Sequence, residues 1–320
     1  MLDEIILSFC LVTYNHEKYI EECVEHILSQ RINFKMEILI GNDCSKDATA
    51  QLIEERFGDK VTLINRKENV GLCANLYDLF VRARGKYVYM LGGDDYIKDE
   101  YMLQKQVDFL ESHPEYFSAT SRSLMYNEKE GTFRECRVKW GDYTIIDYLS
   151  GEKPLYIHGT MRNVFNEEQE KNRFLKMGAR NNEEIKMWLY TLDKGKKYIF
   201  EEYMIVYRFV TEEGASNYNS TKTLRDMFED YYGDLRLMEK YFGKKYRLKP
   251  CRLILMNKYC VMMSDSLKSL WEFAKVVTFT DMMSLLWYKL YLKAHDYKMP
   301  GKWKNPSYLL KTGVDYVHIN

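Results

Sequence analysis

The chain has 320 residues, of which 46% are hydrophobic and 29% are charged, and its formal net charge is zero. This length is enough for one large domain or two, and the composition is ordinary for a globular protein. A chain without an overall basic excess gives no indication of a nucleic-acid partner. The longest apolar stretch, near residues 270–292, is interrupted by Glu272, Lys275 and Asp281, so a membrane-spanning helix is not expected.

Cysteine usage and the N-terminus bear on the compartment. The seven cysteines are scattered and form no CxxC pair. An odd, scattered set is typical of reduced thiols. Asp3 and Glu4 stand where a signal peptide carries its basic region. We therefore expect a cytoplasmic protein, with peripheral contact at the inner face of the membrane as a further hypothesis.

The first 114 residues alternate between apolar runs and stretches with a period of 3.6 residues. They predict strands at 5–13, 36–40, 61–65 and 87–91, and helices at 17–30, 47–57, 72–83 and 99–112. This alternation predicts a parallel βαβ sheet. Polar residues recur where the strands end, and the carboxyl edge of such a sheet binds ligands. The four endings are Thr13-Tyr14-Asn15, Asn42-Asp43, Asn65-Arg66 and Asp94-Asp95.

After residue 114 the pattern changes. We predict a hairpin at 117–126 and 132–140, a short helix at 145–149, strand and loop at 155–165, a helix at 183–192, and strands at 197–200 and 204–209. From residue 221 onward the chain is predicted to be helical, at 224–242, 253–263, 266–277 and 281–294.

The stretch at 86–96 carries the strongest chemical signal. An apolar strand ends in Gly92-Gly93, where backbone can approach a ligand closely, and Asp94 and Asp95 follow at once. Adjacent carboxylates at a sheet edge suit Mg²⁺ or Mn²⁺, and such a cation suits a diphosphate. The alternative from these residues alone is a solvated turn after a core strand.

Five stretches, in order and at matching spacing, resemble family 2 glycosyltransferases of the GT-A fold, of the bacterial polysaccharide type. They are Leu11-Val-Thr-Tyr-Asn-His-Glu-Lys-Tyr-Ile20, Ile40-Gly-Asn-Asp-Cys-Ser-Lys-Asp-Ala-Thr49, Asn69-Val-Gly71, Gly85-Lys-Tyr-Val88 and Leu91-Gly-Gly-Asp-Asp-Tyr96. A weaker similarity extends to Glu183-Glu184 with Trp188-Leu189, Val206-Tyr-Arg208 and Gly214-Ala-Ser216. The resemblance implies an α/β GT-A (Rossmann-like) fold, with a mostly parallel sheet flanked by helices and a helical C-terminal region. It implies a catalytic domain at 1–220, divided into a nucleotide-binding half (1–114) and an acceptor half (115–220), followed by residues 221–320.

The resemblance also implies roles for single residues. Asp43 would accept a hydrogen bond from the uracil imide, and Asp94 would bind the metal with support from Asp95. Gly92 departs from the family pattern, which has an acid there. The expected donor-binding set is Thr13, Tyr14, Asn15, Asp43, Asn75, Gly93, Asp94 and Asp95.

The pair Glu183-Glu184 stands where the family has its catalytic base, and we assign that role to Glu184. The alternative is that both acids merely favour a helix N-terminus. The implied activity is inverting transfer of a sugar from a UDP-sugar to a hydroxyl of a glycan or lipid-linked glycan, assisted by Mg²⁺ or Mn²⁺. A sugar-nucleotide nucleotidyltransferase and a non-catalytic sugar-nucleotide-binding module remain as alternatives.

Residues 241–320 hold 14 basic and 5 acidic residues, a net charge of +9, interleaved with tryptophan and tyrosine. Basic and aromatic residues on amphipathic helices suit an anionic membrane surface. The alternative is that the aromatic residues are buried in the protein or in a homodimer.

Overall fold

The computed structural model describes residues 4–136, 138–150, 159–177, 183–209, 223–263, 267–304 and 309; at 183–185, 188, 209, 267–269 and 304 it describes the backbone alone. The chain divides into two compact units. The first comprises Met1–Asp142, Leu155–Lys176 and Lys194–Thr221; the second comprises Tyr143–Pro154, Met177–Asp193 and Lys222–Asn320. The expected domain boundaries at residues 114 and 220 stay predictions.

The first unit begins with the predicted alternation of strands and helices. Its elements are β1 (Leu7–Thr13), α1 (Ile20–Leu28), β2 (Met36–Asn42), α2 (Thr49–Phe57), β3 (Thr62–Asn65), α3 (Leu72–Arg82), β4 (Tyr87–Gly92) and, after a short strand, α4 (Met102–Ser112). The four strands are parallel in the order β3-β2-β1-β4. All seven residues of β1 are buried, which explains its unbroken apolar sequence.

The remaining strands extend this sheet. They are β5 (Tyr96–Ile97), β6 (Tyr116–Asn127), β7 (Thr132–Glu135), β8 (Gly141–Tyr143), β9 (Thr160–Arg162) and β10 (Lys196–Phe209). β9 lies antiparallel between β4 and β6, β10 is parallel to β6, and β7 completes the predicted hairpin with β6. The expectation of two strands at 197–200 and 204–209 was wrong. They form one strand, because shifts of register between Phe200 and Ile205 accommodate the polar residues between them.

Seven further helices follow α4 in the described part of the chain. They are α5 (Ile145–Leu149), α6 (Glu168–Lys176), α7 (Glu183–Lys194), α8 (Leu224–Phe242), α9 (Lys249–Met262), α10 (Leu267–Val276) and α11 (Phe279–Ala294), with a 3₁₀ turn at Gly301–Lys304. Of these described helices, α6 alone belongs to the first unit. It was not predicted, because it is mostly polar and is held by one buried ring, Phe174, against Phe80 and Phe165.

The helical unit has its own aromatic core. Phe228 of α8 packs against Phe273 of α10 and Tyr259 of α9, at centroid distances of 4.7 and 5.4 Å. Tyr232 donates a 2.6 Å hydrogen bond to the buried Asp281 of α11. Among the described helices, none combines the length and the apolar character needed to cross a membrane.

Candidate active site

The predicted strand ends meet at one edge of the sheet. The N–H of Asp43, after β2, donates to the carbonyl of Thr13 in β1 at 2.9 Å. The N–H of Gly93, after β4, donates to the carbonyl of Val12 at 2.8 Å. These backbone bonds bring the predicted residues of three different strands together, because parallel strands end on the same side.

Polar side chains connect the end of β1 with the loop that follows β4, residues 93–95, which we call the acidic loop. The Thr13 Oγ1 and the His16 Nδ1 are 3.2 Å apart, and the His16 Nε2 is 4.0 Å from the Asp94 Oδ1. Thr13 and His16 are buried, whereas the Asp94 side chain is 19% exposed. A Cβ on Gly93 would lie 2.9 Å from both Thr13 Oγ1 and His16 Nδ1. Gly93 therefore allows the acidic loop to pack directly on this polar pair.

Asp95 faces inward, unlike its neighbour. Its side chain is buried, and its Oδ1 accepts the backbone N–H of Arg208 at 2.8 Å. Burial, followed by the negative charge of Asp94, raises the pKa of Asp95 well above its usual range, although the Arg208 N–H opposes this. Asp94 is therefore the carboxylate that the loop presents to a ligand, and Asp95 ties the loop to β10.

Arg208 is the residue at this site whose role the sequence did not indicate. Its backbone holds Asp95, its guanidinium forms an ion pair with Glu22, and the same group lies over the rings of Tyr19 and Tyr96 at 5.2 and 5.0 Å. These contacts join α1, the acidic loop and the end of β10. The only signal available was the weak match at Val206-Tyr-Arg208, which gives no partner for the side chain.

Asp43, for which the uracil contact stays a prediction, organises a turn. Its Oδ1 accepts the N–H of Val70 at 2.8 Å, and its Oδ2 accepts the N–H of Gly71 at 2.9 Å. The backbone of Gly71 has a φ of 84°, which favours glycine. Each carboxylate oxygen has more than one acceptor position, so these two bonds leave room for a donor group of a ligand.

Asn75 is fully engaged inside the protein. Its Nδ2 donates to the Gly41 carbonyl at 2.7 Å, and its Oδ1 accepts from the Arg66 Nε at 2.8 Å. A second nitrogen of Arg66 donates to Asp78 at 2.9 Å. Asn75 therefore holds the side chain of Arg66 in a fixed orientation at the end of β3. A fixed, partly exposed guanidinium there suits a diphosphate.

The loop after β1 is locked to the loop after β2. The N–H of Asn15 donates to the Ser45 Oγ at 2.9 Å, and the Asn15 Oδ1 accepts the N–H of Lys46 at 2.8 Å. Asn15 and Cys44 both have positive φ, at 56° and 63°. Asparagine tolerates this region, whereas it is strained for cysteine. Tyr14 lies in the loop after β1, between the buried residues Thr13 and His16, and is partly exposed.

The acidic loop fits a cation that arrives with a diphosphate. In the described part of the chain, no group of three or more His, Cys, Asp or Glu side chains could hold a metal ion. Mg²⁺ is usually held by one or two carboxylates together with phosphate oxygens and water. Asp94 alone, with His16 beside it, meets that requirement, so the donor set is consistent with the predicted Mg²⁺ or Mn²⁺.

Glu183 and Glu184 form the first turn of α7, as the predicted helix required. Their side chains lie outside the described part of the structure. The assignment of Glu184 as catalytic base stays a prediction.

Known proteins resemble both the sequence and the fold. An uncharacterized protein of Mycobacterium tuberculosis is 39% identical over 112 residues, 34% of this chain and 32% of its own, so the match spans about a third of that relative. A Bacillus subtilis protein named as a teichuronic acid biosynthesis glycosyltransferase, TuaG, is 26% identical over 222 residues, 66% of this chain and 82% of TuaG.

Two solved structures share the fold over 92% of this chain. Staphylococcus aureus TarS in complex with UDP-GlcNAc superposes with a TM-score of 0.62 at 16% identity and over 88% of its own chain. The mannosyltransferase PcManGT of Pyrobaculum calidifontis, in complex with GDP-Man and Mn²⁺, has a TM-score of 0.50 at 14% identity and 82% coverage. The family model for glycosyl transferase family 2 matches residues 8–173, slightly more than half of the chain. The chain therefore belongs to glycosyl transferase family 2.

Proposed function

We propose that this chain is an inverting glycosyltransferase that moves a sugar from a UDP-sugar to a hydroxyl of a glycan or lipid-linked glycan. The observation that carries the proposal is the meeting of Thr13, Asp43 and Asp94 at one sheet edge, in a chain of this family. A uracil acceptor, a cation ligand and a close backbone approach are what a nucleotide diphosphate sugar needs.

In this proposal Asp43 and Arg66 hold the two ends of the UDP group. The Asp43 carboxylate, buried and already fixed by two backbone N–H groups, accepts from the uracil imide. The Arg66 guanidinium, fixed by Asn75 and Asp78, neutralises diphosphate oxygens. The fold is shared with a UDP-GlcNAc complex and with a GDP-Man complex. The carboxylate of Asp43, which can only accept hydrogen bonds, favours the imide N–H of uracil over the corresponding edge of cytosine, which carries an acceptor there.

Asp94 would hold the divalent cation together with the diphosphate. When bound, the cation stabilises the negative charge that develops on the leaving group. His16 lies beside that carboxylate, with its Nε2 4.0 Å from the Asp94 Oδ1, and Asp95 fixes the loop to β10. Glu184 would take the proton from the acceptor hydroxyl as that oxygen attacks the anomeric carbon from the face opposite the diphosphate.

Similarity to TuaG, which is named for teichuronic acid biosynthesis, favours an acceptor in a cell-envelope polysaccharide. Membership in the family favours the transferase over the nucleotidyltransferase and over a non-catalytic binding module. We expect the protein to act in the cytoplasm.

The test is a panel of UDP-, GDP- and dTDP-sugars with Mg²⁺ or Mn²⁺, scored by release of the nucleoside diphosphate. UDP release from one UDP-sugar, with inversion at the anomeric carbon of the product, is the expected result. A preference for GDP-sugars would count against the role of Asp43, and retained configuration would reject the mechanism. Formation of a sugar nucleotide from a sugar phosphate and a nucleoside triphosphate would identify a nucleotidyltransferase instead.

A further inference from the structure

The last long helix, α11, carries large apolar side chains on two of its faces. One face is buried within the helical unit, where Leu285, Tyr288 and Leu292 are all less than 8% exposed. Tyr288 stacks on Trp303 at 4.8 Å, and Asp281 is held by the Tyr232 hydroxyl. One apolar face of α11 therefore packs in the core of the helical unit. A surface helix needs only one such face to pack on its own domain, so a second apolar face is not explained by folding.

The second face is exposed to solvent. We call it the apolar stripe; it consists of Phe279, Met283, Leu286, Trp287 and Leu290, which are 79%, 50%, 51%, 50% and 69% exposed. These residues follow one another at spacings of four, three, one and three. Residues at that spacing lie on one side of a helix, so the five side chains form one continuous surface. A contiguous exposed apolar patch of this kind marks an interaction site.

The surroundings of the apolar stripe are basic. Lys293, Lys298 and Lys302 are exposed around the C-terminal end of the helix, with Asp296 as the acidic residue among them. The Lys302 Nζ lies 5.7 Å from the centre of the Trp287 ring. The acidic residue of the first turn of α11, Asp281, is buried with Arg252 and Tyr232 and does not face outward.

We propose that the apolar stripe docks on an anionic lipid surface, with α11 lying in the plane of the interface. Phenylalanine, leucine and tryptophan on one face with lysine beside them is the composition of interfacial helices. The lysines attract anionic headgroups while the five apolar side chains leave water. A second copy of this chain is the other occupant that an apolar face of this kind could take, and the test below distinguishes the two.

The inference does not depend on the transfer reaction, although a lipid-linked acceptor would give membrane docking a purpose. The test uses the full chain in sedimentation with vesicles, either phosphatidylcholine alone or phosphatidylcholine mixed in roughly equal parts with phosphatidylglycerol. We expect binding to the anionic vesicles, weakening as salt shortens the range of electrostatic attraction. The double variant Leu286→Ser/Leu290→Ser should bind at least about tenfold more weakly, because two large apolar side chains no longer leave water.

Further variants test whether binding depends on the apolar stripe itself or on any exposed aromatic side chain. Trp287→Ser should weaken vesicle binding, whereas Trp140→Ser, which removes an equally exposed tryptophan (55%) from the first unit, should not. Lys293→Gln/Lys298→Gln should remove the preference for anionic vesicles. UDP release measured without vesicles should be unchanged in all these variants, so a failure of the proposed catalysis would be seen separately.

Failure of the full chain to sediment with either vesicle at low salt would overturn the proposal. So would equal binding by the wild type and the Leu286→Ser/Leu290→Ser variant. If the wild type is a dimer by analytical ultracentrifugation and this variant is a monomer that has lost nothing in the vesicle assay, the apolar stripe is an interface between two copies.

Discussion

Removal of the Asp43 carboxylate should cost both stability and donor binding. In Asp43→Ala, the N–H groups of Val70 and Gly71 lose acceptors at 2.8 and 2.9 Å in a partly buried setting. A hydrogen bond to a charged group contributes about 1.5–3 kcal/mol. The Gly71 N–H keeps a second acceptor, the Asn69 Oδ1 at 3.1 Å, so the loss is smaller than two full bonds. We expect a decrease of about 2–4 kcal/mol in the free energy of unfolding.

Thermal unfolding and UDP titration measure the two effects. A loss of this size should lower the melting temperature by on the order of 5–10 °C. UDP affinity should fall as well, while metal binding by itself should not change. The matched control is Asn69→Ala, which removes an exposed acceptor of the same Gly71 N–H and should change the melting temperature little, since Asp43 remains. A melting temperature of Asp43→Ala equal to that of Asn69→Ala would refute the stability argument, and unchanged UDP affinity would refute the uracil contact.

Three further variants test the acidic loop and the proposed base. Asp94→Asn should abolish the metal-dependent part of UDP binding and turnover; wild-type activity in this variant would make the metal assignment wrong. Glu184→Gln should keep donor binding and reduce transfer by on the order of 10²–10⁴-fold. Glu183→Gln is the control; if that variant is the inactive one instead, the base is Glu183 and the assignment to Glu184 is wrong. The folded-state pKa of Asp95 is raised, so the native protein binds its proton more tightly than the unfolded chain does, and stability falls as pH rises from the unfolded pKa of about 3.9 towards the folded value. Asp95→Asn cannot ionise and keeps an acceptor for the Arg208 N–H. The free energy of unfolding of this variant, measured by denaturant titration, should therefore increase relative to that of the wild type as pH rises. A difference that does not change with pH would contradict the raised pKa.

The parallel half of the sheet could be predicted because its signals are local. Each strand from β1 to β4 is an apolar run next to a helix of clear periodicity. The same approach located β9 within the predicted strand and loop at 155–165, but it missed β5, since a strand of two residues has no period to detect. β10 was divided in two because the polar residues of its bulge resemble a turn.

At the site, the sequence placed single residues at strand ends but could not identify the pairs they form. Thr13, Asp43 and Asp94 meet as expected because parallel strands end together. The bond from Arg208 to Asp95 joins residues 113 positions apart, and no local pattern encodes it. Asn75 was included in the donor-binding set that the family resemblance implies, whereas in the structure its amide holds Arg66 and the Gly41 carbonyl.

The position of β9 and β10 in the sheet also bears on how the chain folds during synthesis. The strands β1 to β4 are complete by Gly92 and pair with one another, so this part can pair early, and the free edge of β4 receives β9 later. β6 ends at Asn127, yet its parallel partner β10 ends only at Phe209, about 80 residues later. At a translation rate of about 5–20 residues per second, one edge of β6 waits roughly 4–16 s for its partner. An unpaired strand edge is prone to aggregation, so the nascent chain is most vulnerable to aggregation in that interval. Substitutions that slow the pairing of β10 with β6 should therefore reduce the yield of soluble protein more than they reduce the stability of the folded protein.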